Sequence, residues 1–301
     1  MSLAMPDDSF PQDPLDTTPF DRRLRRLRRD RAARAAAEPH PLLRRMGEEL
    51  IERLALVTRR FDRALDLGCG PGILTAALRG AGGMEVSAAD AGAAFARLGK
   101  GVQCDEDRLP FPPESFDLVV SAGTLDSVND LPGALIQIRR LLRPDGLFLA
   151  AFTGAGSLPA LRRAMQAADE AENRPASPRL HPQIDVRAAG DLLGRAGFAL
   201  PVVDCERLTL RYGSLTRLVA DLRELGWTNL LSTRSRRPIG RAGYAAAVAA
   251  FSAQADADGK VPERLEIVHL SGWAPSPEQP KPARRGSGTA SLAEALGTKS
   301  R

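Results

Sequence analysis

The stretch ALDLGCGPG at residues 64–72 constrains this chain more than any other. An apolar run that reads as a strand meets three glycines at alternate positions, and the helix-forming ILTAALR follows at once. Gly68, Gly70 and Gly72 remove side chains from a strand-to-helix turn, so a ligand can approach backbone N–H groups closely. A nicotinamide-nucleotide loop of the form G-x-G-x-x-G would need glycine at position 73, where Ile73 stands. No lysine follows, so the loop is not the triphosphate-cradling kind. Asp66 lies two residues before the first glycine. Carrying an acid in place of a phosphate-binding cation, the loop suits a ligand with a cationic amine.

Around this loop short apolar runs alternate with helical segments. Strands are predicted at 63–67, 84–89, 102–104, 116–121 and 147–152, with helices at 72–79, 93–98 and 131–142 between them. The last helix is marked by Asp130 as cap, Pro132 in the first turn and Pro144-Asp145-Gly146 as its close. Such alternation, with nearly continuous apolar strands, implies an α/β fold: a doubly wound, mostly parallel sheet covered on both faces. Further on, helices are expected at 158–172, 186–195 and within 214–252, and strands at 199–210 and 265–273, which brings the strand count to seven. The expected organisation is an unstructured 1–20, a helical arm at 21–60, a cofactor-binding core at 61–153, the rest of the sheet with a helical substrate lid at 154–273, and a flexible tail at 274–301.

The chain of 301 residues carries a net charge of +5, and its location matters more than its size. Residues 1–20 hold four aspartates, residues 21–34 hold eight arginines and two aspartates, and the tail is basic, leaving the intervening body neutral. A neutral body lacks the cation-lined groove of a nucleic-acid-binding protein. The segment FDRRLRRLRRDRAARAAA predicts a helix with Leu24 and Leu27 on one side. Two readings stand: a solvated arm whose leucines rest on the main domain, or a docking element for an acidic partner or an anionic membrane surface. No apolar run approaches the ~18 residues of a membrane span, and the acidic start is unlike a secretory signal. Three scattered cysteines make neither a disulfide framework nor a zinc ribbon, so a reducing cytoplasm is expected, with the inner-membrane periphery as a variant.

LDLGCGPG resembles the first motif of class I S-adenosylmethionine-dependent methyltransferases, and later pieces follow in that family's order. Asp90 ends the second strand, where the family's acid binds the ribose hydroxyls. QCDEDRLPF resembles the turn after the third strand, with Asp105 at the position that contacts the adenine amino group and Glu106 beside it. FDLVVS is similar to the fourth strand, with Ser121 at its end, and LLRPDGLFLAAF to the helix-turn-strand that leads into the fifth. The resemblance implies a seven-stranded Rossmann-like sheet with S-adenosylmethionine held by Asp66, Gly68, Gly70, Gly72, Asp90, Asp105, Glu106 and Ser121. VNDLPGALIQIRRLLRPDG, LLGRAGF, DLRELGWTN and ARRGSGTASL narrow the resemblance to the mitochondrial complex I assembly factor 5 family and its bacterial relatives, which are similar to the malonyl-carrier methyltransferase of biotin synthesis. It implies a protein or carrier substrate, with a respiratory complex I subunit as one partner and arginine hydroxylation as an alternative activity.

Where that family commonly carries a His and often a Trp after the fourth strand, this chain reads GTLDSVNDLP. Ser121, Thr124 and Asp126 lie nearest the reacting position, and Asp126 is the candidate catalytic group, able to accept a proton or pair with a guanidinium. Its other reading is a residue that merely caps the loop. No Asn-Pro-Pro-aromatic tetrapeptide or Pro-Cys nucleophile is present, which argues against adenine-amine and cytosine methylation. His40, His181 and His269 are widely separated and form no His-x-Asp or His-x-Glu pair, so no metal site is expected. A small-molecule acceptor, and a non-catalytic module that keeps its cofactor as a structural ligand, remain as alternatives.

Overall fold

The structure, a computed structural model, describes residues 18–35 and 38–279. Seven strands form one sheet in the order β3-β2-β1-β4-β5-β7-β6. β1 (Arg63–Leu67) pairs in parallel with β2 (Glu85–Asp90) on one side and with β4 (Phe116–Ala122) on the other. β3 (Val102–Gln103) closes that edge, and β5 (Leu142–Thr153) continues beyond β4. Only β7 (Val261–Trp273) runs against the rest, between β5 and β6 (Ala199–Tyr212). The order reverses between β1 and β4, so the connections leaving these strands depart in opposite directions and open a crevice at their carboxyl ends.

Side-chain alternation assigns the two faces. Leu65, Leu67, Val119 and Phe148 point toward α5 (Leu131–Leu141) and α7 (Val186–Arg195). Ala64, Leu118, Val120 and Leu149 point toward α2 (Pro41–Ala55) and α3 (Ile73–Gly80). α4 (Ala93–Leu98) follows β2. A third apolar cluster joins α6 (Pro159–Ala171), α8 (Leu215–Glu224) and α9 (Arg241–Ser252) into the helical part beyond β5. The amino terminus of α6 is held by Glu263 of β7, which is fully buried and accepts from the N–H groups of Ala160 (3.1 Å) and Leu161 (2.8 Å). None of the described helices is long and apolar enough to cross a membrane.

Three differences from the sequence reading are structural findings. The Pro144-Asp145-Gly146 turn does not separate α5 from the next strand. β5 starts at Leu142, because Asp145 (φ +63°) donates to Ala274 O and Ala274 N donates to Gly146 O, tying the turn to the end of β7. β7 begins at Val261 rather than 265, its first residues pairing with Thr209–Tyr212 in a long antiparallel ribbon. The segment expected to be unstructured at 1–20 ends in order: Phe20 is buried, bridges to Leu231 and exchanges hydrogen bonds with Asn129. Residues 1–17 and 280–301, most of the two expected flexible ends, lie outside the described residues.

The largest correction concerns α1 (Arg22–Ala35). Leu27, expected to rest on the domain, is 46% exposed, while Arg25 and Arg29 are buried along with Ala32. Of the two leucines, Leu24 keeps an apolar contact, with Phe20, Leu230 and Leu231. The inward face is cationic because the body offers carboxylates there, and a buried charge is tolerated when it is paired and hydrogen-bonded.

Candidate functional site

The glycine loop lies in the crevice after β1. Gly68 N and Cys69 N both donate to Ala89 O, which ties the loop to β2. Gly68 has φ +74°, and a Cβ there would collide with Thr124 of the loop after β4, so this glycine serves two ends, an αL turn and a close approach between loops. Asp66 is buried, and its Oδ2 accepts from both Thr75 N (2.8 Å) and Thr75 Oγ1 (2.6 Å), bracing the start of α3. Burial pushes its carboxyl up to about 6, the Thr75 hydrogen bonds opposing the rise. The loop-side role of Asp66 is therefore partly taken by its own helix.

Asp90, at the end of β2, faces the loop with both oxygens engaged. Oδ2 accepts from Gly70 N at 2.9 Å and Oδ1 from Gly92 N at 2.7 Å. The guanidinium of Arg29 adds a bidentate pair, Nε to Oδ1 at 2.7 Å and Nη2 to Oδ2. The other acids continue the pattern along α1. Asp105 pairs with Arg26, Glu106 takes both terminal nitrogens of Arg25 (2.6 and 2.9 Å), and Asp107 takes both of Arg22 (2.5 and 2.6 Å). Positions 22, 25, 26 and 29 fall on one face of a helix. Burial works against the Arg29 charge, but Asp90 more than offsets it and holds that guanidinium above its ordinary pKa; Glu106 does the same for Arg25. The free space in this cleft, between Arg29, Asp66, the glycines and Phe95, is about 30 Å³.

A second pocket of about 190 Å³ adjoins it. Asp126, Thr153, Met165, His181, Trp227 and Asn229 are among its walls. Thr153 Oγ1 donates to Asp126 Oδ2 at 2.9 Å, while the shielded Oδ1 accepts no hydrogen bond from the described residues. Burial pushes the Asp126 carboxyl up to about 6, with the Thr153 hydrogen bond opposing. Trp227 links the two cavities: it lines this pocket and its indole N–H donates to Gly123 O (3.0 Å), a wall residue of the glycine-loop cleft. The stretch after the fourth strand carries no aromatic of its own, yet an indole stands beside it, contributed from the end of α8. Ser121 is fully buried and exchanges a hydrogen bond with Thr124 (3.2 Å), behind the cleft rather than on its surface.

The structure brings Asp66, Gly68, Gly70 and Asp90 together around one cleft, and Gly72 begins α3 beside them. Asp105 and Glu106 lie along the adjoining edge under α1, and Asp126 stands apart in the second pocket. Arg29 is the residue that sequence reasoning missed, while Trp227 was legible only as part of LRELGWTN, a stretch expected to face an incoming protein. The i, i+3, i+4, i+7 spacing of arginines 22, 25, 26 and 29 is the signal that could have found Arg29.

The histidines do other work. His181 is pushed down to about 4 by burial and accepts from Leu230 N at 3.1 Å. His269 is buried between β5 and β6, with no hydrogen-bond partner for either ring nitrogen among the described residues. His40, Asp221 and Glu224 bring their ligand atoms within 4.8 Å of one another, a grouping across more than 180 residues that sequence spacing could not reveal. His40 Nδ1 accepts from Leu42 N (3.2 Å), which assigns the proton to Nε2, 3.7 Å from Asp221 Oδ2. The nitrogen facing the carboxylates is then a donor rather than a ligand.

Comparison with known proteins agrees with this geometry. A methyltransferase-domain family model matches residues 65–150. The human mitochondrial arginine-hydroxylase NDUFAF5 is 36% identical over 287 residues, covering 91% of this chain and 82% of that protein. The malonyl-[acyl-carrier protein] O-methyltransferase of Halorhodospira halophila is 34% identical over 273 residues, covering 86% of this chain and 90% of the relative. The crystal structure of YcgJ from Bacillus subtilis shares the fold with a TM-score of 0.53 at 16% identity, covering 76% of this chain and 99% of that one. With its sheet order, its glycine loop and relatives matched along most of their length, the chain belongs to the class I methyltransferase superfamily, whose cofactor is S-adenosylmethionine, and within it to the group that contains NDUFAF5 and the malonyl-carrier O-methyltransferases.

Proposed function

We propose that the chain transfers a methyl group from S-adenosylmethionine to an acceptor presented by a protein or carrier in the pocket beside Asp126. The observation that carries this reading is a direct tie between the two cavities: the indole N–H of Trp227, in the wall of that pocket, donates to Gly123 O, in the wall of the glycine-loop cleft. The donor set fits the cofactor. Gly68 and Gly70 present backbone at a tight turn, and Asp90 has two oxygens of the kind a ribose diol needs, although Arg29 now holds both. Asp105 stands where the adenine amino group is expected, with Glu106 and Ser121 shaping the site from behind. When bound, the cofactor supplies an electrophilic methyl on a sulfonium.

The chain's own task is alignment, exclusion of water and handling of one proton. Asp126, pushed up to about 6, suits the last part. Its free Oδ1 takes a proton from a neutral nucleophile, or pairs with an acceptor that arrives as a cation, while Thr153 holds the other oxygen. Trp227, Met165 and Leu222 make the remaining surroundings largely apolar, which strengthens that interaction.

Similarity to NDUFAF5 favours a second reading, hydroxylation of a protein arginine with Asp126 pairing to the guanidinium in the same pocket, in which dioxygen would supply the inserted oxygen and a two-electron reductant from the extract would reduce its other oxygen to water. The resemblance to the assembly-factor family makes a respiratory complex I subunit the first partner to test. Both readings are decided by incubating the protein with methyl-labelled cofactor and an extract of cells lacking its gene, then mapping modified proteins by mass spectrometry. The expected result is a label-bearing methyl on a protein residue, lost with Asp126→Asn. An unlabelled oxygen on arginine selects the second reading, and no modification dependent on this protein overturns both.

A further inference from the structure

We infer that α1 is a built-in plug for the cofactor site, and that it must withdraw before S-adenosylmethionine can engage Asp90. The inference rests on the cofactor assignment and adds a regulatory step to it.

Asp90 has no capacity left for a ribose diol. Four donors converge on its two oxygens: Gly70 N, Gly92 N and two guanidinium nitrogens of Arg29. A carboxylate offers about four lone-pair positions, so a diol can enter only in place of Arg29. Space tells the same story. The cleft retains about 30 Å³, enough for one or two waters. The Arg29 guanidinium lies 5.2 Å from the centre of the Phe95 ring, within the cleft wall where a nucleoside would lie against the glycine loop.

The seating of α1 is too well fitted to be incidental. Gly92 has an ordinary backbone conformation (φ −80°), yet a Cβ there would stand 2.8 Å from Arg29 Cβ, so its missing side chain is what admits the helix. Asp30, the next residue of α1, accepts from Ala94 N at 2.8 Å and supplies the side-chain cap that Gly92 cannot give to α4. Arg22, Arg25, Arg26 and Arg29 each find an acid on the body. The helix is thus held chiefly by exchangeable ion pairs and a cap. Its apolar grip is limited to Leu24 and Ala32, since Leu27 faces solvent. With its Cβ seated against Gly92 and its guanidinium over Phe95, Arg29 is aimed at Asp90 by the position of the helix itself, so withdrawal of α1 carries the guanidinium away with it.

A plug lowers apparent affinity by the fraction of time the site is closed. Were α1 seated about 90% of the time, cofactor would bind about tenfold more weakly than to the open site. The test compares wild type with Arg29→Met, which keeps the apolar stem over Phe95 but removes the competing donors. A second variant, Arg22→Ala/Arg26→Ala, loosens the more exposed end of α1 without touching Asp90. S-adenosylmethionine is titrated calorimetrically into each, and hydrogen exchange over residues 22–35 is followed by mass spectrometry. The expected results are binding about tenfold tighter for Arg29→Met, a smaller gain for the double variant, and faster exchange of α1 in wild type once the cofactor is added. Weaker or unchanged binding by both variants, or slower exchange of α1 on binding to wild type, overturns the plug while leaving the cofactor assignment intact. Absence of binding to all three proteins overturns the cofactor assignment and the plug with it.

Discussion

Asp126→Asn should make the protein more stable at neutral pH while removing its activity, and the size of the effect follows from the pocket. Burial pushes the carboxyl from 3.8 up to about 6 in the folded chain. Between those values the folded state keeps a proton that the unfolded state has released, so stability falls as pH rises through that window and is flat above it. Two pH units at about 1.4 kcal/mol each set a ceiling near 3 kcal/mol for the cost of holding Asp126 ionised at pH 8. Asparagine keeps the acceptor for Thr153 Oγ1 but aims an amide N–H₂ where Oδ1 now lacks a partner, at a cost of about 1–2 kcal/mol. The variant should therefore gain about 1 kcal/mol at pH 8 and lose about 1–2 kcal/mol at pH 4, where the wild-type group is neutral. Urea unfolding of both proteins from pH 4 to pH 8 reads the difference directly. Asp66, also pushed up to about 6, titrates in the same window but cancels in that difference. A stability difference that does not change with pH would refute the claim that Asp126 is buried at a cost, and with it the argument that its position is kept for chemistry.

Two further outcomes follow from the packing. Arg25→Met strands Glu106, whose carboxylate is fully buried, and should lower stability by about 3–5 kcal/mol, whereas adding Glu106→Leu should restore most of it; denaturant midpoints check both, and a double variant no better than the single one would contradict the pairing. Gly68→Ala places a side chain at φ +74° against Thr124, so it should cost at least about 1–3 kcal/mol and cofactor binding as well, with Thr124→Ala relieving only the steric part; melting temperature and cofactor titration of the two variants separate the contributions.

The sheet was legible because its signals are local. β1 matches the expected 63–67, and α4 and α7 match their expected bounds, since period and punctuation lie within a dozen residues. The glycine loop was legible for the same reason. The arm was not. Arginine at helical spacing reads as a solvated face, and only partners 61 to 85 residues distant turn that face inward. The reading that rests Leu24 and Leu27 on the domain therefore holds for Leu24 and fails for Leu27, because apolarity was taken as the sole reason for burial. For Trp227 only the contact escaped: its stretch was expected on the substrate side, but its place beside Gly123 depends on how α8 ends. Asp126 was singled out by position in the chain, but its shielded oxygen and its Thr153 partner emerge only when β5 comes alongside.

The clasp of Glu263 on the first turn of α6 bears on how a bulky guest gets in. With both of its oxygens bound to that helix, the sheet and α6 form one stiff body, and the helix cannot swing outward like a door. The other walls of the chamber of Asp126 are tied as well, by Arg179 on Asp169, by the bond from Leu230 N to His181 and by the Trp227 indole on Gly123. A guest in that chamber therefore meets a preformed wall, with the start of α6 pinned to the sheet as its fixed side.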